Sequence, residues 1–141
     1  MLFRSKVSPV NIYGEQKAQA ETGILQVYPQ AAICRMPLMF GKETPTAKSF
    51  IQGFIQTLKD GKELSLFRDE FRTPVSANTA AKGLLLALKK VHGIIHLGGK
   101  ERISRYDFGK ILVEVMQLPD DQLKSCLQDD VKMAAPRPKD V

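Results

Sequence analysis

The chain has 141 residues, of which 43% are hydrophobic and 26% charged, proportions typical of one soluble globular domain. This composition excludes collagen, a coiled coil and a disordered chain. Lys and Arg number 21 against 15 Asp and Glu, which gives a net charge of +6. Because these basic residues are scattered and carry little aromatic interleaving, we expect no nucleic-acid partner.

Signals for export or membrane insertion are not found in the sequence. No apolar run approaches the ~20 residues needed to cross a bilayer, and the N-terminal string MLFRSKVSPVN has no signal-peptide pattern. We therefore predict a cytoplasmic protein without a membrane partner. Cys34 and Cys126 lie far apart in apolar settings, so we expect two reduced thiols and neither a disulfide framework nor a zinc site.

The first half of the chain alternates between helix and strand patterns. Apolar residues at helical spacing predict one helix over 11–28 and another over 48–58. Between them, the short apolar run 31–36 predicts a strand covered on both faces. Residues 64–67 predict the next strand.

The second half continues this alternation. We expect a polar loop over 68–74, a helix over 76–91 that begins at Ser76 or Asn78, and a strand over 94–97. A helix over 104–116, a weaker helix over 121–127 and a Pro-rich extended tail over 132–141 should follow. The helix over 76–91 is apolar around more than half its circumference. We therefore expect the stripe from Leu84 to Leu88 to be buried core.

The order of these elements predicts an α/β layer structure with a mainly parallel sheet. A sheet of three short strands that begins with a helix would leave a long hydrophobic edge exposed. We therefore predict a single but incomplete domain over 1–141, which forms part of a larger structure.

Tyr13 and Lys17 lie four residues apart on the first predicted helix, hence on one face of it. An ammonium near a phenol favours the phenolate, which makes the tyrosine a usable proton donor to a carbonyl. Spacing alone does not separate this role from two solvated side chains. Tyr106 and Lys110 share the same spacing in a helix whose pattern indicates ordinary packing.

Other candidate residues have structural explanations. His92 and His96 are separated by Gly93 and the start of a strand, and no acidic residue or cysteine stands at ligand spacing, so we expect no metal site. Ser104 fits an N-cap better than a nucleophile. Gly98-Gly99 lacks the third glycine and the following helix of a phosphate loop, and therefore indicates a turn.

Four strings, taken in order, resemble the extended short-chain dehydrogenases/reductases. The first, SPVNIYGEQKAQAE, is similar to their active-site helix with its Y-G-x-x-K-x-x-x-E setting. The others resemble the next strand and its arginine-containing loop, the substrate-side loop and helix, and a late strand and helix: AAICRMPLMFG, RTPVSANTAAKGLLLAL and GIIHLGGKERISRYDFGKILVEV. Together they resemble the dTDP-4-dehydrorhamnose reductase family of sugar-nucleotide reductases and epimerases.

This resemblance implies a reductase that passes hydride from NADPH or NADH to a dTDP-4-keto-deoxysugar. It implies that 7–36 is the C-terminal portion of a Rossmann-like doubly wound sheet, and that 37–131 is a small substrate-binding region. Tyr13 would protonate the alkoxide, and Lys17 would bind the nicotinamide ribose and lower the pKa of the tyrosine. The resemblance also implies that Pro37 and Leu38 lie near the nicotinamide end of the cofactor. It implies that Arg72 and Thr73 lie on the sugar-nucleotide side.

The sequence also departs from the family pattern. The 10 glycines never form the Gly-rich turn that holds the cofactor pyrophosphate. Residues 1–6 are too short to supply the strand that carries the family's catalytic Ser or Thr. We therefore expect a fragment that neither binds nor oxidises NADPH alone. Two alternatives remain: a non-catalytic module that binds a sugar nucleotide or regulates another protein, and the product of a decayed or miscalled gene. The sequence also leaves open whether the chain forms a homodimer.

Overall fold

The computed structural model describes residues 7–141, so the expectation for 1–6 lies outside the described residues. Four α-helices and one short 3₁₀ helix form within them. The α-helices are α1 (Ile12–Val27), α2 (Phe50–Lys59), α3 (Ala77–Lys90) and α4 (Arg105–Met116), and the 3₁₀ helix is Gln128–Asp130. The four α-helices lie where the apolar spacing predicts them, within about two residues at most boundaries.

Residues 7–141 also contain eight short strands, numbered β1 to β8 in chain order. They are Ala32–Arg35, Met39–Phe40, Leu64–Phe67, Phe71–Arg72, Val75–Ser76, Gly93–His96, Ile103–Ser104 and Leu123–Cys126. They pair two by two. β1 with β6, β2 with β5 and β3 with β8 are parallel, whereas β4 and β7 are antiparallel. The expected α/β architecture with mainly parallel pairing is therefore confirmed.

Helices flank the β1–β6 pair on both faces. Side chains alternate along a strand, so Arg35 points to one face while Ala32 and Cys34 point to the other. Arg35 reaches Glu21 of α1, whereas Ala32 and Cys34 line a groove with residues of α3. The pair is thus covered by α1 on one face and α3 on the other, as parallel strands require.

A second layer surrounds the β3–β8 pair. Its core joins α2, β3, α4 and β8 through four buried side chains: Leu58, Leu66, Val113 and Leu123. Gly109 of α4 allows the helix to approach this pair closely, because a Cβ at Gly109 would stand 2.5 Å from Leu66 Cδ1. The absence of a side chain at Gly109 therefore sets the distance between α4 and the strands.

The helix expected over 121–127 is wrong, because this segment contains strand β8. Leu123 pairs with Leu64 in parallel register, and its side chain is buried in the core. Backbone pairing with β3 and this burial outweigh a weak local helix preference. The polar segment 68–74 likewise contains β4, which pairs with β7 and is bridged to the tail at Asp140.

The expected burial of the leucine stripe in α3 is also wrong. Its exposed fractions run from 42% at Leu84 to 77% at Leu88. The buried side chains of α3 are instead Ala80 and Ala87. The helix packs on β1, β2 and β5, while its leucines stay at least 42% exposed.

None of the helices within 7–141 combines the length and the hydropathy that a bilayer crossing requires.

Replacing Gly109 with Ala should destabilise the protein, because the new methyl group overpacks the core against Leu66 and Leu123. We expect unfolding in urea to give a loss of about 1–3 kcal/mol. Gly53, in α2, has no atom within 4 Å of its Cβ position and serves as the matched control. Gly53→Ala should be neutral or stabilise by up to about 1 kcal/mol, and equal losses for both variants would contradict this packing.

Candidate functional site

Helix α1 begins with a cap that fixes the position of Tyr13. The Asn11 backbone is extended, and its Oδ1 accepts a hydrogen bond of 2.9 Å from the backbone N–H of Gly14. Pro9 packs on the same turn, since a Cβ at Gly14 would stand 3.0 Å from Pro9 Cβ. The acidic Glu15 in the first turn suits the positive end of the helix dipole.

The structure brings Tyr13 and Lys17 together on one face of α1. Lys17 Nζ lies 5.4 Å from the centre of the Tyr13 ring, and the tyrosine is 69% exposed. Among residues 7–141, no carboxylate oxygen lies within 4.0 Å of Lys17 Nζ. Both the phenol and the ammonium are thus accessible to a ligand.

Tyr106 and Lys110 have the same spacing but different surroundings. Lys110 Nζ lies 5.2 Å from the centre of the Tyr106 ring, yet it also lies 2.6 Å from Asp107 Oδ1. This hydrogen bond raises the pKa of Lys110. Tyr106 is partly buried and packs against the core. Both side chains of this second pair are therefore engaged in contacts within the fold.

Glu21, the glutamate of the Y-G-x-x-K-x-x-x-E string, ties α1 to the sheet. Its two carboxylate oxygens accept hydrogen bonds from Arg35 Nε at 2.8 Å and Nη2 at 2.7 Å. The hydrogen bonds from Arg35 lower the pKa of Glu21 despite its burial, and they raise the pKa of Arg35. Arg35 Nη1 also lies 3.3 Å from His96 Nε2, so the contact continues from β1 to β6.

The expected nicotinamide-end residues, Pro37 and Leu38, follow the carboxyl end of β1. Because only four residues separate α1 from β1, the two elements run antiparallel. Tyr13 near the start of α1 therefore lies towards the same edge of the sheet as Pro37. Ligands of open parallel sheets bind at this carboxyl edge.

Thr73 reaches this edge through the loop that follows β6. The carbonyl oxygen of Thr73 accepts a hydrogen bond of 2.9 Å from the Gly99 N–H, and Thr73 Oγ1 lies beside Gly98. A Cβ at Gly99 would overlap the carbonyl oxygen of Pro74. The two glycines thus permit a close backbone approach that holds Thr73 beside the carboxyl end of β6.

Arg72, the other expected substrate-side residue, is engaged within the fold. Its Nη1 donates to Phe71 O at 2.6 Å, and its Nη2 donates to Pro138 O at 3.1 Å. Its guanidinium also lies 3.3 Å from a carboxylate oxygen of Glu70. The side chain thereby fastens the C-terminal tail to β4, and its contact with a substrate stays a prediction.

Glu70 is a residue that sequence reasoning missed. It is 1% exposed and lies 3.3 Å from Arg72, 3.8 Å from Arg105 and 3.3 Å from Arg137, with Gln128 donating at 3.2 Å. Burial lowers the pKa of Arg72 and Arg105, although the nearby carboxylate acts in the opposite direction. In the sequence, the only local sign of this cluster is that Glu70 lies between two arginines in RDEFR. Two of its arginine partners come from distant segments, so local patterns do not reveal them.

The C-terminal tail connects this cluster to helix α1. Asn11 Nδ2 donates a hydrogen bond of 2.8 Å to the carbonyl oxygen of Pro136, the residue before Arg137. Arg137 in turn lies beside Glu70. One segment of the tail therefore joins the N-terminal end of α1 to the Glu70 cluster.

A nicotinamide dinucleotide needs donors for its pyrophosphate, which helix N-termini after Gly-rich turns supply. The N-termini of three described α-helices, α1, α3 and α4, are instead capped by the side chains of Asn11, Ser76 and Ser104. At the start of α2, Gln52 Oε1 accepts a hydrogen bond from the Ser49 backbone N–H. Within 7–141, the residues thus fit the nicotinamide end of a cofactor and not its pyrophosphate. No group of three metal-binding side chains occurs in that part of the chain.

Comparison with known proteins decides the family. Residues 3–141 match the model described as the RmlD substrate binding domain. The chain belongs to the RmlD substrate-binding-domain family. This confirms the resemblance to dTDP-4-dehydrorhamnose reductases.

Solved structures share this fold. The dTDP-4-dehydrorhamnose reductase of Bacillus anthracis, solved with NADP, matches with a TM-score of 0.83 at 22% identity, over 94% of this chain and 46% of that one. A hypothetical dTDP-4-dehydrorhamnose reductase from Sulfolobus tokodaii matches with a TM-score of 0.80 at 33% identity, over 99% and 48%. The chain thus spans about half of each.

A curated relative carries a different name. Methionine adenosyltransferase 2 subunit beta of Danio rerio is 25% identical over 139 residues, which cover 94% of this chain and 43% of the relative. Again the chain spans less than half of the matched protein.

Replacing Glu21 with Gln should remove a pH-dependent part of the stability. The folded-state pKa of Glu21 lies below its ordinary value of 4.5, so the ion pair stabilises the fold above that pH and is lost as pH falls through the folded pKa. We expect a loss of about 1–3 kcal/mol at neutral pH, shrinking in acid. A pH-independent difference between Glu21→Gln and the parent in urea unfolding would contradict this.

Replacing Glu70 with Ala should leave three arginines without their shared carboxylate. We expect a loss of about 3–5 kcal/mol in the free energy of unfolding. Limited proteolysis should also cleave the tail after Pro136 faster. Glu63 is exposed and bonds only to Ser65 among the described contacts, so Glu63→Ala is the control and should change stability by less than about 0.5 kcal/mol.

Proposed function

We propose that this chain is the substrate-side portion of an NAD(P)H-dependent reductase acting on a dTDP-4-keto-deoxysugar. The observation that carries the proposal is the accessible Tyr13–Lys17 pair at the carboxyl edge of a parallel strand pair. The match to the RmlD substrate binding domain supports the substrate class. In this proposal, 7–36 belongs to the nucleotide-binding sheet and 37–131 to the substrate region, with 132–141 as the connecting tail.

Tyr13 is the proposed proton donor. When bound, the reduced nicotinamide supplies a hydride to the carbonyl carbon of the sugar. Negative charge then develops on the carbonyl oxygen, and the phenol of Tyr13 donates its proton there, which completes the alcohol. Lys17 stabilises the phenolate that remains, because its ammonium lies 5.4 Å from the centre of the ring.

The remaining residues position the two ligands in this proposal. Lys17 also binds the nicotinamide ribose, and Pro37 and Leu38 lie against the nicotinamide. On the sugar-nucleotide side, Thr73 offers a hydroxyl next to the loop after β6. Arg72 contributes positive charge while it holds the tail through Pro138.

We further propose that the isolated chain is inactive. The capped helices of 7–141 offer no cradle for the pyrophosphate, so the cofactor is held by a second lobe. Cys34 and Cys126 are both free, which fits a reducing compartment such as the cytoplasm.

A non-catalytic regulatory module is the second candidate. The match to methionine adenosyltransferase 2 subunit beta favours it, because that protein is named as a subunit. Such a module would bind a nucleotide sugar or a partner protein without using Tyr13 for proton transfer. Loss of activity on changing Tyr13 would therefore separate the two candidates.

The test uses a fusion in which the part of the Sulfolobus tokodaii protein outside the match precedes this chain. With NADPH and dTDP-4-dehydrorhamnose, we expect Tyr13→Phe to lower kcat by about 100-fold or more, because the proton donor is lost. Tyr106→Phe is the matched control, since Tyr106 has the same lysine spacing but packs against the core. It should keep activity within about twofold.

The isolated chain should show no NADPH oxidation in the same assay. Two results would contradict the proposal. One is turnover by the isolated chain, and the other is equal activity of the Tyr13→Phe and Tyr106→Phe fusions.

A further inference from the structure

The side chain of Asn11 makes two hydrogen bonds, one from each polar atom of its amide. Oδ1 accepts a bond of 2.9 Å from the backbone N–H of Gly14, and Nδ2 donates one of 2.8 Å to the carbonyl oxygen of Pro136. The two partners fix the orientation of the amide, because an N–H faces only its oxygen and a carbonyl only its NH₂ group. Asn11 therefore links the start of α1 to a segment 125 residues away.

On the helix side, Asn11 and Tyr13 belong to the same hydrogen-bonded turn. The backbone carbonyl of Asn11 accepts a bond of 3.1 Å from the N–H of Glu15, beside the bond that Oδ1 accepts from Gly14. Tyr13 is 69% exposed, so its position depends on the backbone of this turn more than on packing of its ring. A displacement of Asn11 therefore moves Tyr13 with it.

On the tail side, Pro136 begins a stiff segment that is anchored beside the substrate-side residues. Each proline of Pro136, Arg137 and Pro138 has its φ angle fixed by its ring. Arg137 Nε lies 3.3 Å from a carboxylate oxygen of Glu70, and Arg72 Nη2 donates to Pro138 O at 3.1 Å. The segment thus acts as a short spacer between Asn11 and the region around Arg72.

The other tie of α1 lies too far along the helix to fix its start. Glu21 bonds to Arg35 of β1, but it follows Tyr13 by eight residues, about 12 Å along the helix axis. Within 7–141, the bond from Asn11 to Pro136 is the one hydrogen bond that joins the first turn of α1 to a segment distant in sequence. The place of this turn therefore depends on the tail.

We propose that Asn11 is a positioning residue for proton transfer. Its amide holds Tyr13 at a fixed place relative to the substrate-side region, through the spacer Pro136–Pro138. The inference rests on the proposed function, in which Tyr13 is the proton donor. Reacting groups tolerate little displacement, since a misplacement of about 1 Å costs a rate factor of about 100. Asparagine suits both contacts because one planar group carries an acceptor and a donor.

Replacing Asn11 with Asp separates the cap from the tie to the tail. Aspartate caps helices as well as asparagine and suits the positive end of the helix dipole, so urea unfolding should show no loss of stability. It has no donor at neutral pH, and its carboxylate would face the carbonyl oxygen of Pro136. In the fusion with the Sulfolobus tokodaii lobe, we expect kcat to fall about tenfold or more, with KM for the sugar nucleotide within about twofold.

The solvent deuterium isotope effect on kcat separates positioning from partial unfolding. Asn11→Asp should increase it, because transfer of the proton from a displaced Tyr13 becomes slower than the other steps. A smaller folded fraction would lower kcat and leave the isotope effect unchanged. Asn78→Asp is the matched control, since Asn78 is exposed on α3 and the charge change is the same. It should keep kcat within about twofold.

A looser spacer tests whether Asn11 acts through the tail. The double change Pro136→Gly and Pro138→Gly keeps both carbonyl groups but makes the segment flexible, so it should lower kcat by itself. Adding Asn11→Asp to this background should then have no further effect, because the two changes remove the same constraint. Additive losses would show that Asn11 does not act through the tail.

Nuclear magnetic resonance of the full chain tests the contact without cofactor or sugar. Asn11 and Asn78 are the only asparagines in the chain, so selective ¹⁵N labelling gives two side-chain amide groups. The amide protons of Asn11 should exchange with water at least about tenfold more slowly than those of Asn78. Asn11→Asp should shift the ring signals of Tyr13 and leave those of Tyr106 in place.

Different failures contradict different claims. Equal exchange at the two amides, or unmoved Tyr13 signals in Asn11→Asp, overturns the inference. An inactive parent fusion contradicts only the proposed function, because the amide and ring signals still decide whether Asn11 holds Tyr13. A fusion that loses activity in Tyr13→Phe and keeps it in Asn11→Asp contradicts only the positioning role.

Discussion

One buried carboxylate, that of Glu70, joins the segments that surround the candidate site. It lies beside guanidinium groups from β4, α4 and the tail, so three parts of the chain meet at a single charge. A buried charge is stable only when it is paired, so the buried Glu70 carboxylate requires these segments to bring their arginines to it. Through Pro136 and Asn11, the same cluster reaches the start of α1. The position of Tyr13 thus depends on contacts made far from it in sequence.

A second constraint comes from the small sheets. β1 has helices on both faces but, among the described residues, a strand on only one edge. Its neighbouring leucines are exposed, while the alanines of α3 make the internal contacts. Helix α3 thus has an alanine face, which packs on the described residues of the chain, and a leucine face, which stays largely exposed. The chain spans about half the length of the Bacillus anthracis and Sulfolobus tokodaii chains that it matches.

Helices and longer strands could be predicted from the sequence because their apolar spacing is local. The Tyr13–Lys17 pair could also be predicted, since residues four apart on a helix must share a face. The strand at β8 could not, because its pairing with β3 joins segments about sixty residues apart. Nor could the Glu70 cluster, whose arginines are scattered from Arg72 to Arg137. The leucines of α3 were misassigned because periodicity identifies an apolar face and not what covers it.

The central claim is that this chain carries the proton donor of a reductase while the pyrophosphate of the cofactor is held elsewhere. Calorimetric titration of NADP⁺ into the isolated chain and into the fusion with the Sulfolobus tokodaii lobe tests it most directly. The account predicts saturable 1:1 binding to the fusion and no saturable binding to the chain alone. Stoichiometric binding of NADP⁺ to the isolated chain, with an affinity equal to that of the fusion, would contradict it.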